Sequence, residues 1–392
     1  MREYMLVLLV AVSVTYVVAS IARRFAYRYN AVALVRDRDV HTKPVPYFGG
    51  IALLAGTAAA FLVGGSLPWL GSFPIVGHDT RVVFAACALI SAVGLMDDLI
   101  ELNALAKISG QVVAAGIVVA NGVKFYWIPL PDRVVTLDSA ASIVLAVFVI
   151  LVCVNAINLM DGLDGLAAGV VAIGASAFFG YAYVLSYEQD LVRATTASLI
   201  TVTTAGICLG FLPHNIHKAR MFMGDSGSML LGFLLACSAI SLTGQFDPSR
   251  LRPEGGALVS AYLPLLLPIA VMALPFADLV MAYVRRTLAG KLWYQADKQH
   301  LHHRMLALGH PHRVAVALLW LWSAVVAYGM VLIGIVGHWW AYALVAIGIV
   351  VAAFLTWGPL LRRRWARPDA VGAVRESRAR PGVAHSPGRG HR

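Results

Sequence analysis

Asp97 and Asp98 stand side by side at the end of the apolar run Val82 to Met96. An aspartate costs about 2.5–3.5 kcal/mol near the centre of a membrane helix and less at its edge, and neighbouring carboxylates repel each other. A chain that keeps this pair where a membrane helix meets water is expected to use it, most simply on a divalent metal or a proton. Mg²⁺ suits such a place. It is a hard ion that takes one or two carboxylates together with substrate phosphates. The pair opens Asp97-Asp98-Leu-Ile-Glu101-Leu-Asn103-Ala-Leu-Ala-Lys107-Ile-Ser-Gly-Gln111. In a helix, Asn103, Lys107 and Gln111 would share one face, and Lys107 would either meet a phosphate or pair with an acid.

Four more polar segments interrupt the apolar chain. His41-Thr-Lys43-Pro-Val-Pro46-Tyr-Phe-Gly49-Gly50 is a stiff lead-in ending in two glycines, where another chain can approach closely; Lys43 could meet a phosphate. Asn155-Ala-Ile-Asn158-Leu-Met-Asp161-Gly-Leu-Asp164-Gly165 carries turn signals and three side chains rich in oxygen. Capping the next helix would explain Asp164 alone, since a cap needs one oxygen. Asn215-Ile-His-Lys218-Ala-Arg220-Met-Phe222-Met-Gly224-Asp225-Ser226-Gly227-Ser228 runs into an apolar stretch. A helix starting there offers free N–H groups and a positive dipole end to an anion. Ser226 can cap it, which leaves Asp225 for a metal, and Phe222 could stack on a base. The last segment holds Asp297-Lys298-Gln-His300-Leu-His302-His303-Arg304, with His310 and His312 following. His300 and His302 lack the i, i+4 spacing of a helical zinc pair. Several N–H donors beside a forked guanidinium suit a diphosphate better.

The elements that must position these residues are membrane helices. Of 392 residues, 59% are hydrophobic and only 13% charged, and the mean hydropathy is +0.76. A soluble chain carries roughly 25% charged residues. The expected architecture is an all-α polytopic bundle of eleven spans: 5–22, 48–65, 81–96, 108–121, 140–157, 165–185, 191–212, 227–244, 257–284, 314–336 and 339–360. Pro264, Pro268 and Pro275 should kink or break the ninth. The segment 123–137, alternating around Pro129-Leu-Pro131-Asp132, predicts a short hairpin. Residues 1–365 read as one membrane domain, and 366–392, rich in Arg, Pro, Gly and Ser, as a disordered basic tail.

Most of the 31 Lys and Arg residues fall on the side that also carries the five polar segments; Arg2, Lys124, Arg133, Arg250 and Arg252 fall opposite. The basic side is expected to be cytoplasmic, with the N-terminus outside and the C-terminus inside a plasma or inner membrane. Arg23 and Arg24 follow the first apolar run, which favours an uncleaved span over a signal peptide. The net charge of +11 then reflects topology rather than nucleic-acid binding, for which no motif exists. Cys87, Cys153, Cys208 and Cys237 all lie inside spans and suggest no disulfide framework.

In order and spacing, the Asp-Asp pair, Asn-Leu-Met-Asp-Gly-Leu-Asp-Gly, Phe-Met-Gly-Asp-Ser-Gly and Asp-Lys-Gln-His-Leu-His-His-Arg resemble the polyprenyl-phosphate N-acetylhexosamine-1-phosphate transferases over roughly residues 36–330. The His-Leu-His-His-Arg segment is similar to the WecA/TagO branch, which uses UDP-GlcNAc. The MraY branch, which transfers phospho-MurNAc-pentapeptide, shows consecutive histidines followed by an acid. The resemblance implies Mg²⁺ (or Mn²⁺ in its place) on Asp225, with Asp97 and Asp98 catalytic beside a polyprenyl phosphate lipid. It further implies that Asn158, Asp161, Asp164, Asn215 and Phe222 lie on the uridine and metal side. Lys43 and Lys107 would serve phosphates, and His300, His302, His303 and Arg304 the sugar diphosphate. Members of the family are commonly homodimers. A transporter would place acids deep in the spans and show related halves; a CDP-alcohol phosphotransferase would show one tight aspartate cluster. This chain shows neither.

Overall fold

The computed structural model describes residues 1–28, 45–129, 134–188, 192–243, 266–288 and 305–365. The helices are α1 (Arg2–Arg28), α2 (Gly49–Ser66), α3 (Pro74–Ile100), α4 (Ala104–Ala120), α5 (Ser139–Met160), α6 (Leu166–Glu188), α7 (Val192–Asn215), α8 (Gly224–Thr243), α9 (Ala273–Leu288), α10 (His312–Val336) and α11 (Trp339–Trp365). Among the described residues, nine are long and apolar enough to cross a membrane, and α4 is a shorter apolar helix. Ten of the eleven expected spans fall on these helices, and of the ninth only 266–284 lies within the described residues; the chain is an all-α polytopic membrane protein. Strands β1 (Trp127–Pro129) and β2 (Val134–Thr136) pair antiparallel, Trp127 opposite Thr136, as the alternating pattern of 123–137 predicts. The helix ahead of α9 breaks at a turn on Met272, between Pro268 and Pro275. The tail 366–392 lies outside the described residues.

Helix α8 is the axis of the bundle. Apolar and small residues surround it on every side, and each of its residues except Asp225 is buried. It packs against α2, α3, α5 and α7. Within it, the Ser238 hydroxyl donates back to the Leu235 carbonyl at 2.8 Å. By contrast, α1 and α11 bury little of their apolar surface, as expected of helices facing lipid.

Small residues let backbones meet at the working end of α8, as is common in membrane bundles. A Cβ on Gly94 of α3 would lie 2.5 Å from the Ser226 backbone, and one on Gly49 would lie 2.6 Å from the Phe222 carbonyl. The segment leading into α2 is zipped to the segment leading into α8. Phe222 N–H donates to the Pro46 carbonyl (2.9 Å), Gly49 N–H to Phe222 (3.1 Å) and Gly50 N–H to Met223 (3.0 Å). The antiparallel alternation brings the starts of α2, α4, α6 and α8 and the ends of α3, α5 and α7 to one end of the bundle. The hairpin sits at the other.

Candidate active site

Lys107 is the centre of the site. Its ammonium contacts Asp97 Oδ2 at 2.9 Å, Asp225 Oδ2 in a very short ion pair, and Asn158 Oδ1 at 3.5 Å. The three partners come from three other helices: the last turn of α3, the first turn of α8 and the last turn of α5. The lysine reaches them because Asn103 starts α4 properly, its side chain accepting the Ala106 N–H at 2.8 Å. One turn deeper, Gln111 Oε1 accepts from Asn155 Nδ2 at 2.8 Å and fastens α4 to α5. Asn158 is held by its amide nitrogen, which donates to Asp225 Oδ1 and Ser228 Oγ, both at 2.9 Å. Asp97 Oδ1 also accepts the Leu102 N–H at 2.8 Å, closing the turn between α3 and α4.

Asp98 does something the sequence did not suggest. Its carboxylate accepts the backbone N–H of Asp225 at 2.8 Å and of Ser226 at 3.2 Å. The expected cap, Ser226, is corrected to Asp98, a residue on a neighbouring helix. Two N–H groups at the start of α8 are thus already taken by a side chain of the protein itself, fixed there by packing. Gly224 adopts φ +70° at this junction, a conformation that glycine takes at little cost.

The Asp161–Asp164 loop closes one side. Asp161 is half-buried, and loss of water together with the charges of Asp225, Asp98 and Asp164 pushes its carboxyl up to about 7. Asp164 is buried and accepts from Ala219 N–H at 3.1 Å, with His217 Nδ1 3.2 Å away. Asn215 spends its amide on the scaffold, accepting Gly165 N–H at 2.9 Å and donating to the Met221 carbonyl at 3.0 Å. Phe222 packs against Tyr47, with ring centroids 5.3 Å apart.

Asp97, Asp98, Lys107, Asn158 and Asp225 are therefore brought together, with Asp161, Asp164, Asn215 and Phe222 around them. Lys43, His300, His302, His303 and Arg304 lie outside the described residues. Ser228, which holds Asn158, went unread in the sequence; its position one turn after Asp225 was the available signal. His217 was also missed.

Fold and site define a polytopic membrane enzyme class in which carboxylates and one lysine converge at the mouth of a helix bundle. A model of the family described as "Glycosyl transferase family 4" matches residues 80–243. The decaprenyl-phosphate N-acetylglucosaminephosphotransferase of Mycolicibacterium smegmatis is 41% identical over 369 residues, 93% of this chain and 90% of that one. The probable undecaprenyl-phosphate N-acetylglucosaminyl 1-phosphate transferase of Bacillus subtilis is 32% identical over 78% of each chain. A phospho-N-acetylmuramoyl-pentapeptide-transferase of Desulforudis audaxviator is 34% identical over 59% of this chain and 74% of its own length. The chain belongs to glycosyl transferase family 4.

Proposed function

We propose that this protein transfers N-acetylglucosamine 1-phosphate from UDP-GlcNAc to polyprenyl phosphate, releasing UMP, on the cytoplasmic face of the membrane. The observation that carries this reading is the convergence of Asp97, Asp225 and Asn158 on the Lys107 ammonium. The names and extent of the relatives support the same acceptor and sugar.

In the reaction, an oxygen of the lipid phosphate attacks the β-phosphorus of the nucleotide sugar. A new P–O–P bridge forms as the bridge to the α-phosphate breaks, and UMP leaves with the electron pair. The attacking phosphate, whose second pKa is near 6, is mostly dianionic at neutral pH, so Asp97 need not remove a proton. Its role is to orient Lys107 and the turn that bears it. The reaction exchanges one diphosphate bond for another and should run near equilibrium.

The residues present fit a hard divalent ion. Three oxygen atoms, two of them from carboxylates, already converge on one cation, and oxygen ligands are what Mg²⁺ takes. Asp225 would hold it, with Asp97 or Asn158 beside it. Bound there, Mg²⁺ would offset the charge that builds on the transferring phosphoryl group. Lys107 supplies fixed positive charge at the same place, and Asp98 sets the depth of Asp225 by holding its backbone. Phe222 and the Asp161–Asp164 loop offer a face for the uridine, and the His300–Arg304 segment donors for the sugar diphosphate.

The deciding assay uses purified protein, polyprenyl phosphate and Mg²⁺, with UDP-GlcNAc in one arm and UDP-MurNAc-pentapeptide in the other. UMP should appear with UDP-GlcNAc and only when the lipid is present. Preference for the pentapeptide donor would move the chain to the other branch, and lipid-independent UMP would reject the reading.

A further inference from the structure

Asp164, His217 and His312 come from three separate segments: the loop between α5 and α6, the turn after α7, and the first residue of α10. Their nitrogen and carboxylate ligand atoms all lie within 4.8 Å of one another. Asp164 is 5% exposed, and the Ala219 N–H holds its Oδ2 at 3.1 Å. The rings of His217 and His312 lie face to face, with centroids 4.4 Å apart and planes 26° apart. A hydrogen bond to Asp164 accounts for His217.

We propose that these residues form a site for a borderline-soft divalent transition-metal ion of the Zn²⁺ class. Two imidazoles and a carboxylate are the donor set such an ion takes, with a fourth position open to water. Metal–ligand bonds of about 2.0–2.2 Å place tetrahedral ligand atoms about 3.3–3.6 Å apart. To bind, the ligand atoms would close by about 1 Å and the stacked rings would turn about their side-chain torsions until the nitrogen lone pairs, which lie in the ring planes, converge. The Ala219 N–H steadies the carboxylate from behind, as supporting hydrogen bonds do at metal centres. The ion would staple together the loop bearing Asp161, the stretch leading to Phe222 and the start of α10. The site shares Asp164 with the uridine-side loop of the transferase reading, but neither imidazole takes part in that reading, and binding is measured without substrate.

The test uses full-length protein in detergent, stripped with chelator and kept in excess Mg²⁺ so that the carboxylate cluster is satisfied. Co²⁺, which reports tetrahedral nitrogen and oxygen ligands by visible absorption, is titrated in, and Zn²⁺ is added to compete. A single saturating equivalent is expected in the wild type, weakened about tenfold or more in His217→Gln and in His312→Gln and unchanged in Asp225→Asn. Zn²⁺ should also raise the melting midpoint of the wild type, a readout that needs no variant. An absent band, an equal band in both histidine variants, or an unmoved wild-type midpoint would each overturn the site.

Discussion

Asp98 accepts the backbone N–H of Asp225 at 2.8 Å across 127 residues of sequence. One member of the aspartate pair thus fixes where the candidate metal-binding carboxylate begins, while the other, Asp97, faces Lys107. The two neighbours divide between architecture and chemistry.

Removing the cap should cost stability as well as rate. Asp98→Ala is expected to lose about 1–2 kcal/mol, the range for a charged residue capping a helix start, and Asp98→Asn less. The melting midpoint in detergent and UMP release measure the two effects. A wild-type midpoint in the alanine variant would show that α8 does not lean on this carboxylate.

Lys107→Met leaves Asp97 and Asp225 facing each other without their shared cation. Activity should fall about 10²–10³-fold, as when one charge-stabilising donor is lost from an active site. Added Mg²⁺ should recover only part of it. Full activity at ordinary Mg²⁺ would remove Lys107 from the site.

Asp225→Asn keeps the contact with Asn158 within reach but discards the negative charge. The expected result is loss of activity that extra Mg²⁺ rescues only in part. Unchanged turnover and unchanged Mg²⁺ dependence would rule Asp225 out as the metal ligand.

Asp161 gives a pH dependence whose sign can be worked out. Its carboxyl sits at about 7 in the fold and near 3.9 in the unfolded chain. The folded state therefore binds the proton more tightly, and this contribution to stability is complete below about pH 4 and lost as pH rises through 7. Melting in chelator at pH 5 and pH 8 should show the midpoint dropping in the wild type and dropping less in Asp161→Asn. Parallel curves would contradict it.

Gly50 tests the close approach of α2 and α8. A Cβ there would sit 2.6 Å from the Gly227 nitrogen, so Gly50→Ala should overpack the contact and cost about 1–3 kcal/mol. The melting midpoint would report it; no change would mean that the starts of α2 and α8 part more easily than their three backbone hydrogen bonds suggest.

The helices were legible because membrane spans announce themselves by length and apolarity, so ten of the eleven expected spans met a helix and the described part of the ninth did too. The proline-rich ninth span broke near Met272 because proline removes backbone donors whatever surrounds it. The hairpin was legible by alternation. Much of the site was legible too, since Asp97, Lys107, Asn158 and Asp225 are polar residues at the ends of apolar runs. What stayed hidden were partners that only packing creates. Local rules gave the cap of α8 to Ser226, the residue beside it in sequence, but a carboxylate from another helix arrived first. The meeting of Asp164, His217 and His312 was hidden for the same reason: their segments are adjacent only once α5, α7 and α10 are in place.

The complete enclosure of α8 has a consequence for how the protein meets different membranes. A helix without a lipid-facing side has no boundary with the acyl chains to match, so the depth of Asp225 is set by the helices packed around α8, chiefly α2, α3, α5 and α7. Thickness mismatch falls on the outer helices, which absorb it by tilting. Catalytic geometry is thereby insulated from bilayer thickness.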